Sequence, residues 1–174
     1  MNRECEHTLK NNTRIPVEAV LSAFSYDPKT GIIRGKQHSG RKSAGAERGS
    51  LCHNGYLKTT INGYPVLSHR LAWALFYGEW PPALIDHING VKTDNRISNL
   101  RLCNHSLNGA NSKKRNTTYR FKGVHKSKDG PGWKAVIRKD YKNYNLGTFP
   151  TEEAAHAAYV AKAKQLFGEF ARAG

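Results

Sequence analysis

The sequence predicts an α+β chain in two modules, and three observations predict it. The first part mixes short helices with short strands and strong turn signals. The pattern then breaks at a polar, basic run over residues 111–118. Beyond it, three β-rich segments lead into one alanine-rich helix. The expected organisation is a flexible N-terminus at 1–15, a first domain at 16–112, a basic linker at 113–118 and a second domain at 119–174.

Ile15-Pro16 opens a helix in which Val17, Val20, Leu21 and Phe24 fall at helical spacing. Residues 26–31 carry an Asp-Pro and a Gly and read as the turn into a strand, Ile32-Ile33-Arg34. Residues 35–50 are rich in Gly, Ser, Lys and Arg and are expected to be a mobile basic loop. Residues 56–61 alternate, Asn62-Gly63 turns, and Tyr64-Pro65-Val66-Leu67 returns as a hairpin. Ser68 is placed to cap a helix from His69 to Tyr77 that ends at Gly78. Ala83-Leu84-Ile85-Asp86-His87 is a strand, residues 98–102 a second, and a helix starts near Asn104. In the second domain, strands are expected at 120–125, 133–139 and 143–149. Thr151 then caps a helix with Glu152 and Glu153 in its first turn.

Of 174 residues, 28 are Lys or Arg and 13 Asp or Glu, giving +15. The basic residues divide as 14 up to residue 112 and 14 after it, against 8 and 5 acidic ones, so both parts are expected to meet a polyanion. Charge alone leaves open a basic protein with no nucleic-acid role. Three scattered cysteines, Cys5, Cys52 and Cys103, contain no Cys-x-x-Cys and argue against a disulfide framework or a four-cysteine zinc site; Cys5 and His7 alone make a weak metal pair. No apolar run is long enough to span a membrane and the start lacks a signal-peptide core, so a cytoplasmic location is expected.

The most informative residues are Asp86-His87, followed by Asn95, Asn99 and Asn108. Metal-assisted phosphodiester cleavage needs a hard oxygen ligand and a base partly neutral near pH 7, and Asp and His are residue types that supply them. Residues 56–111 resemble the HNH endonucleases, in particular the phage and intron-encoded homing type. The match is carried by residues 68–73 and 85–90 and continues through residues 93–101 to Asn108. The resemblance implies a ββα-metal module. In it Asp86 and Asn108 would ligate one Mg2+ or Mn2+ ion, His87 would be the general base, and Asn99 would brace the loop. Arg101 or Arg70 could hold a neighbouring phosphate. His69, Asn95, Asn104 and Asn111 are weak candidates: His69 is more often structural at a helix start, and Asn95 reads as a loop or cap residue. Asn104 and Asn111 rival Asn108 as ligands, and His105 is expected off the metal face.

Residues 119–168 resemble the AP2 DNA-binding domain, on Gly123-Val124, residues 133–135, Ile137-Arg138, residues 146–149 and 152–155, and Ala158-Tyr159. That implies a three-stranded sheet laid on duplex DNA with a helix behind it. Arg120, Lys122, Lys126, Lys128, Trp133, Lys134, Arg138, Lys142 and Tyr144 are the contact candidates. Where plant members carry arginines after Gly-Val, this chain has His125 and Ser127, and Asn145 replaces Trp before Leu-Gly-Thr. The fold expectation therefore transfers and the base-reading code does not. Core packing at a turn is as good a reading of Trp133 as DNA contact. Together the resemblances imply a metal-dependent, homing-type DNA endonuclease, monomeric by default, acting on double-stranded DNA without a small-molecule cofactor, in a bacterial host's cytoplasm if phage-encoded. Its rivals are a non-catalytic DNA-binding regulator on the same scaffold, and an RNA-binding protein or RNase.

Overall fold

A computed structural model describes residues 15–112 and 118–172. Cys5, His7 and nearly all of the expected flexible start and basic linker lie outside the described residues. The chain forms two compact units that divide between Leu102 and Cys103. The described residues form a mixed α+β fold with four small sheets, three of them antiparallel.

In the first unit, helix α1 (Val17–Ala23) hands directly to strand β1 (Phe24–Asp27). Phe24 therefore ends the helix rather than extending it, because its backbone turns extended and the strand pairs with β2 (Ile32–Gly35). Asp27 fixes the turn between them, its carboxylate accepting from Lys29 N and Thr30 Oγ1. The segment expected to be a loop over 35–50 contains β3 (Glu47–Arg48), paired with β2, and β4 (Ser50–Leu51). Arg34 of β2 pairs with Glu47 at 3.0 Å, and Lys36, Lys42 and Arg48 donate to the carbonyls of Leu21, Glu47 and Gln37.

Strands β5 (Leu57–Ile61) and β6 (Tyr64–Leu67) form the hairpin. Asn62 and Gly63 both sit at positive φ, 49° and 82°, the geometry that a two-residue turn needs to match strand twist and that Asn-Gly tolerates. Helix α2 (Ser68–Tyr77) follows at once and stops at left-handed Gly78. Ser68 is not its cap: it is the first helical residue, buried, with its hydroxyl 3.4 Å from that of Thr59. Leu71, Ala72 and Trp73 of α2 join Val20, Phe24, Ile33, Ile61, Val66, Ile85 and Leu100 in one core. Burial of such side chains stabilises by about 1.5–3 kcal/mol each. Strand β7 (Leu84–His87) pairs with β8 (Leu100–Cys103), and a single 3-10 turn, Ile97–Asn99, precedes β8.

In the second unit, helix α3 (His105–Asn111) begins at Asn104, whose side-chain oxygen accepts from Leu107 N at 2.8 Å. Strands β9 (Val124–Lys126), β10 (Trp133–Lys139) and β11 (Lys142–Phe149) form an antiparallel sheet with β10 central. The strand expected at 120–125 is shorter because Arg120 N donates to Glu152 instead of to a neighbouring strand. Helix α4 (Glu152–Phe167) is capped by Thr151, whose hydroxyl accepts from Ala154 N. Its Ala155, Tyr159, Ala163 and Phe167 are buried, with Ile137, Ala135 and Val124 from the sheet and Leu107 and Ala110 from α3 in the same two apolar clusters.

Candidate active site

Strand β7 is buried along Ile85, Asp86 and His87, so it delivers a carboxylate and an imidazole into a nearly dry setting. Such a carboxylate demands a cationic partner. Arg101 on β8 supplies it, with Nε and Nη2 each donating to Asp86 Oδ2 at 3.0 Å. Arg101 is thereby engaged with Asp86 and is not set aside for a phosphate. Arg70, the other phosphate candidate, is 4% exposed and donates to the carbonyls of Pro81 and Ala83, tying α2 to the chain entering β7.

His87 Nε2 lies 3.2 Å from Asn95 Oδ1. Its ring is flanked by His69, edge-on with centroids 5.1 Å apart, and by Tyr56 at 5.8 Å. Burial pushes the His87 imidazole below its ordinary pKa, against the opposing hydrogen bond from Asn95 and the charges of Asp86 and Asp94. Burial also pushes His69 well down, helped by the repulsion it would meet from a protonated His87 and by the Arg70 charge. Its Nδ1 is buried without a hydrogen-bond partner. Both rings are thus neutral at pH 7. Lys92 Nζ stands 4.7 Å from the Tyr56 ring centre and donates to the Asn54 carbonyl.

The loop from β7 to β8 is tied from inside. Asn99 Oδ1 accepts from Asn89 N at 3.0 Å, and Asn99 Nδ2 donates to the Asp94 carbonyl at 2.8 Å. Asp94 receives Arg96 through two bonds and Asn89 Nδ2 through a third. The Arg96 guanidinium, with Asn89, holds the Asp94 carboxyl at a pKa of about 2.

The first unit therefore gathers Asp86, His87, Asn95, Asn99, Arg101, His69 and Tyr56. Asn108 is half-buried on α3 of the second unit, beside Asn111, which is buried; Asn104 is spent on capping α3, and His105 is exposed. Among the described residues no group of three or more His, Cys, Asp or Glu could cage a metal. An ion held at Asp86 would be largely hydrated and would compete with the Arg101 guanidinium for the carboxylate. Sequence reasoning missed Tyr56, 31 positions before His87, because no local signal links them. Asn95 carried a signal in its place within the motif, but its buried bond to His87 was not anticipated.

Residues 66–110 match the family model described as HNH endonuclease. A relative from Acanthamoeba polyphaga mimivirus, described as an uncharacterized HNH endonuclease, is 35% identical over 119 residues, 63% of this chain. The alignment spans 62% of that relative's length. No solved structure matches the chain. The HNH match crosses the division between the two units at Leu102, so its last residues, from Cys103 on, fold with the sheet of the second unit.

In that sheet, Ala135 and Ile137 face α4, so Lys134 and Arg138 alternate to the other face, paired across strands with His125, Thr148 and Asn143. Lys126, Lys128 and Lys142 are exposed, and Arg120 makes an exposed pair with Glu153. Three expected DNA contacts are turned inward. Lys122 Nζ donates to the Gly109, Ala110 and Ser112 carbonyls at the end of α3. Trp133 packs on Val124, Ala135 and Ala155, and Tyr144 on the Ile137–Tyr159 cluster. Among the described residues no helix is long and apolar enough to cross a membrane.

Proposed function

We propose that the protein is a metal-dependent, homing-type DNA endonuclease that hydrolyses a phosphodiester bond in duplex DNA. The observation that carries this is the neutral, buried His87, fixed through Nε2, beside the buried carboxylate of Asp86 in an HNH-family segment. His87 takes a proton from a water, whose oxygen forms the new bond to phosphorus. The P–O3′ bond breaks, and O3′ leaves with the electron pair and is protonated by solvent. Asp86 would hold the divalent ion, Mg2+ or Mn2+, which supplies charge stabilisation at the phosphate. Asn99 keeps the loop rigid. The second unit, an AP2-like sheet in this reading, places the chain on DNA through Lys134 and Arg138.

Supercoiled plasmid incubated with wild type and His87→Ala, in Mg2+ and in EDTA, tests the proposal. Nicked or linear product is expected only from wild type with metal, with His87→Ala slower by roughly 10²–10⁴-fold. Equal cutting by both proteins sinks the base assignment. A second reading, a DNA-binding regulator on a silent HNH scaffold, is favoured by the Arg101–Asp86 pair. Tight DNA binding with no cleavage under any metal would establish it.

A further inference from the structure

Two hairpin turns of this chain share a backbone geometry and differ in one side chain. Between β5 and β6, Asn62 and Gly63 take φ of 49° and 82°. Between β10 and β11, Asp140 and Tyr141 take φ of 47° and 65°. The second position of such a turn favours glycine, because a Cβ in the left-handed region crowds the following carbonyl. A bulky aromatic residue there strains the backbone, and such strain persists only where the surrounding structure holds it. Here it is held. Lys139 pairs with Lys142 at the base of the turn, and Asp140 N donates to Ser106 Oγ of α3 at 3.2 Å. The ring gives the fold little packing in exchange. Tyr141 is 84% exposed, more than any other large hydrophobic side chain among the described residues.

The surroundings of the ring are cationic. The Arg138 guanidinium stands 5.6 Å from its centre, which turns the ring towards the sheet face that carries Lys134 and Arg138. Residues 133–149 hold four basic side chains and one acidic, Asp140. A projecting ring on a basic hairpin complements a polyanion that also offers flat apolar faces, and DNA combines the two. We infer that Tyr141 is a wedge on the second unit that inserts its ring at a base step of bound duplex DNA. The inference deepens the proposed placement of this sheet on DNA and rests on it. Insertion partly unstacks the step, and the bases recover stacking on the ring. The strained turn raises the ring before DNA arrives, so little ordering is left to binding.

Full-length wild type, Tyr141→Gly and Tyr141→Phe are compared metal-free, in EDTA. Thermal melts read the strain, and titration of a linear duplex cut from plasmid reads affinity. Relaxation of closed circular plasmid by a metal-independent topoisomerase, at saturating protein, reads helix unwinding. Tyr141→Gly should melt about 1–4 °C higher than wild type, because glycine takes the left-handed turn freely. It should bind the duplex more weakly by at least about 5-fold and lose the unwinding. Tyr141→Phe keeps the ring and should match wild type in affinity and unwinding. A lower melting temperature for Tyr141→Gly would show that the ring serves the fold and would overturn the inference, as would affinity or unwinding equal to wild type. Failure of the underlying reading looks different. If Lys134→Ala with Arg138→Ala leaves the salt dependence of binding unchanged, the sheet is off the DNA and the wedge with it. If that double variant changes the salt dependence while Tyr141→Gly binds as wild type, the wedge alone is refuted.

Discussion

Two nitrogens of the Arg101 side chain converge on one oxygen of Asp86, where the side chains are 11% and 7% exposed. A buried ion pair gains little over apolar replacements, yet losing one partner strands a charge and costs about 3–5 kcal/mol. Arg101→Met should therefore unfold at lower temperature in metal-free buffer, by an amount matching that loss. Mn2+ should restore much of it, because the ion binds the carboxylate that Arg101 has vacated and stabilises the folded state by mass action. In wild type Mn2+ competes with the guanidinium, so its stabilising effect should be smaller. Thermal melts of both proteins across a Mn2+ titration measure this, and equal stabilisation of the two would refute Asp86 as a metal ligand. At this scale the sequence was legible wherever chemistry is local. Asp86 and His87 stand out as neighbours, and the polar bonding capacity of Asn99 shows in its place in the motif. The Arg101 pairing was not legible, because it depends on how β7 and β8 lie side by side. Nor was the inward turn of Arg70, whose partners are backbone carbonyls more than ten residues away.

Elements whose signals are contained within a few residues were readable. The Asn62-Gly63 hairpin, the Gly78 stop of α2 and the Thr151 start of α4 each follow from one or two residues that permit little else. Strands β1 and β3 were not readable, since four- and two-residue strands exist only through their pairing with β2. The loop between β7 and β8 shows how such an element acquires rigidity without regular structure: Asn89, Asp94, Arg96 and Asn99 bond to one another across its span. Asp94 is held at about 2 against an ordinary 3.8, so its ionised form favours the folded loop. That contribution is fully present above the unfolded value near 3.8 and disappears as pH falls towards 2. Asp94→Asn should therefore flatten the loss of stability between those two pH values, measured by denaturant melts at stepped pH. A variant with the same acid sensitivity as wild type would show that the loop is held by other groups.

For the whole molecule, the division between Leu102 and Cys103 bears on how the two proposed roles can be separated. Helix α3 carries Asn108 and lies at the end of the segment similar to the HNH endonuclease model, yet Leu107 and Ala110 are packed in the apolar cluster of the second unit, and its last carbonyls are capped by Lys122. A chain ending at residue 112 would leave that apolar side uncovered and the helix without its cap. Deleting the second unit would then damage the cutting machinery along with DNA placement, and loss of activity would say nothing about either. Surface charge gives a cleaner separation. Lys134, half-buried, and Arg138, exposed, lie on the sheet face away from α4, so the double substitution should leave folding intact. Each phosphate contact contributes about 0.9 to the slope of log affinity against log salt. Lys134→Ala with Arg138→Ala should therefore flatten that slope by roughly 2 in duplex-binding titrations, while cleavage at saturating protein keeps the wild-type rate. An unchanged slope would take the sheet off the DNA and leave the +15 charge to act through other surfaces.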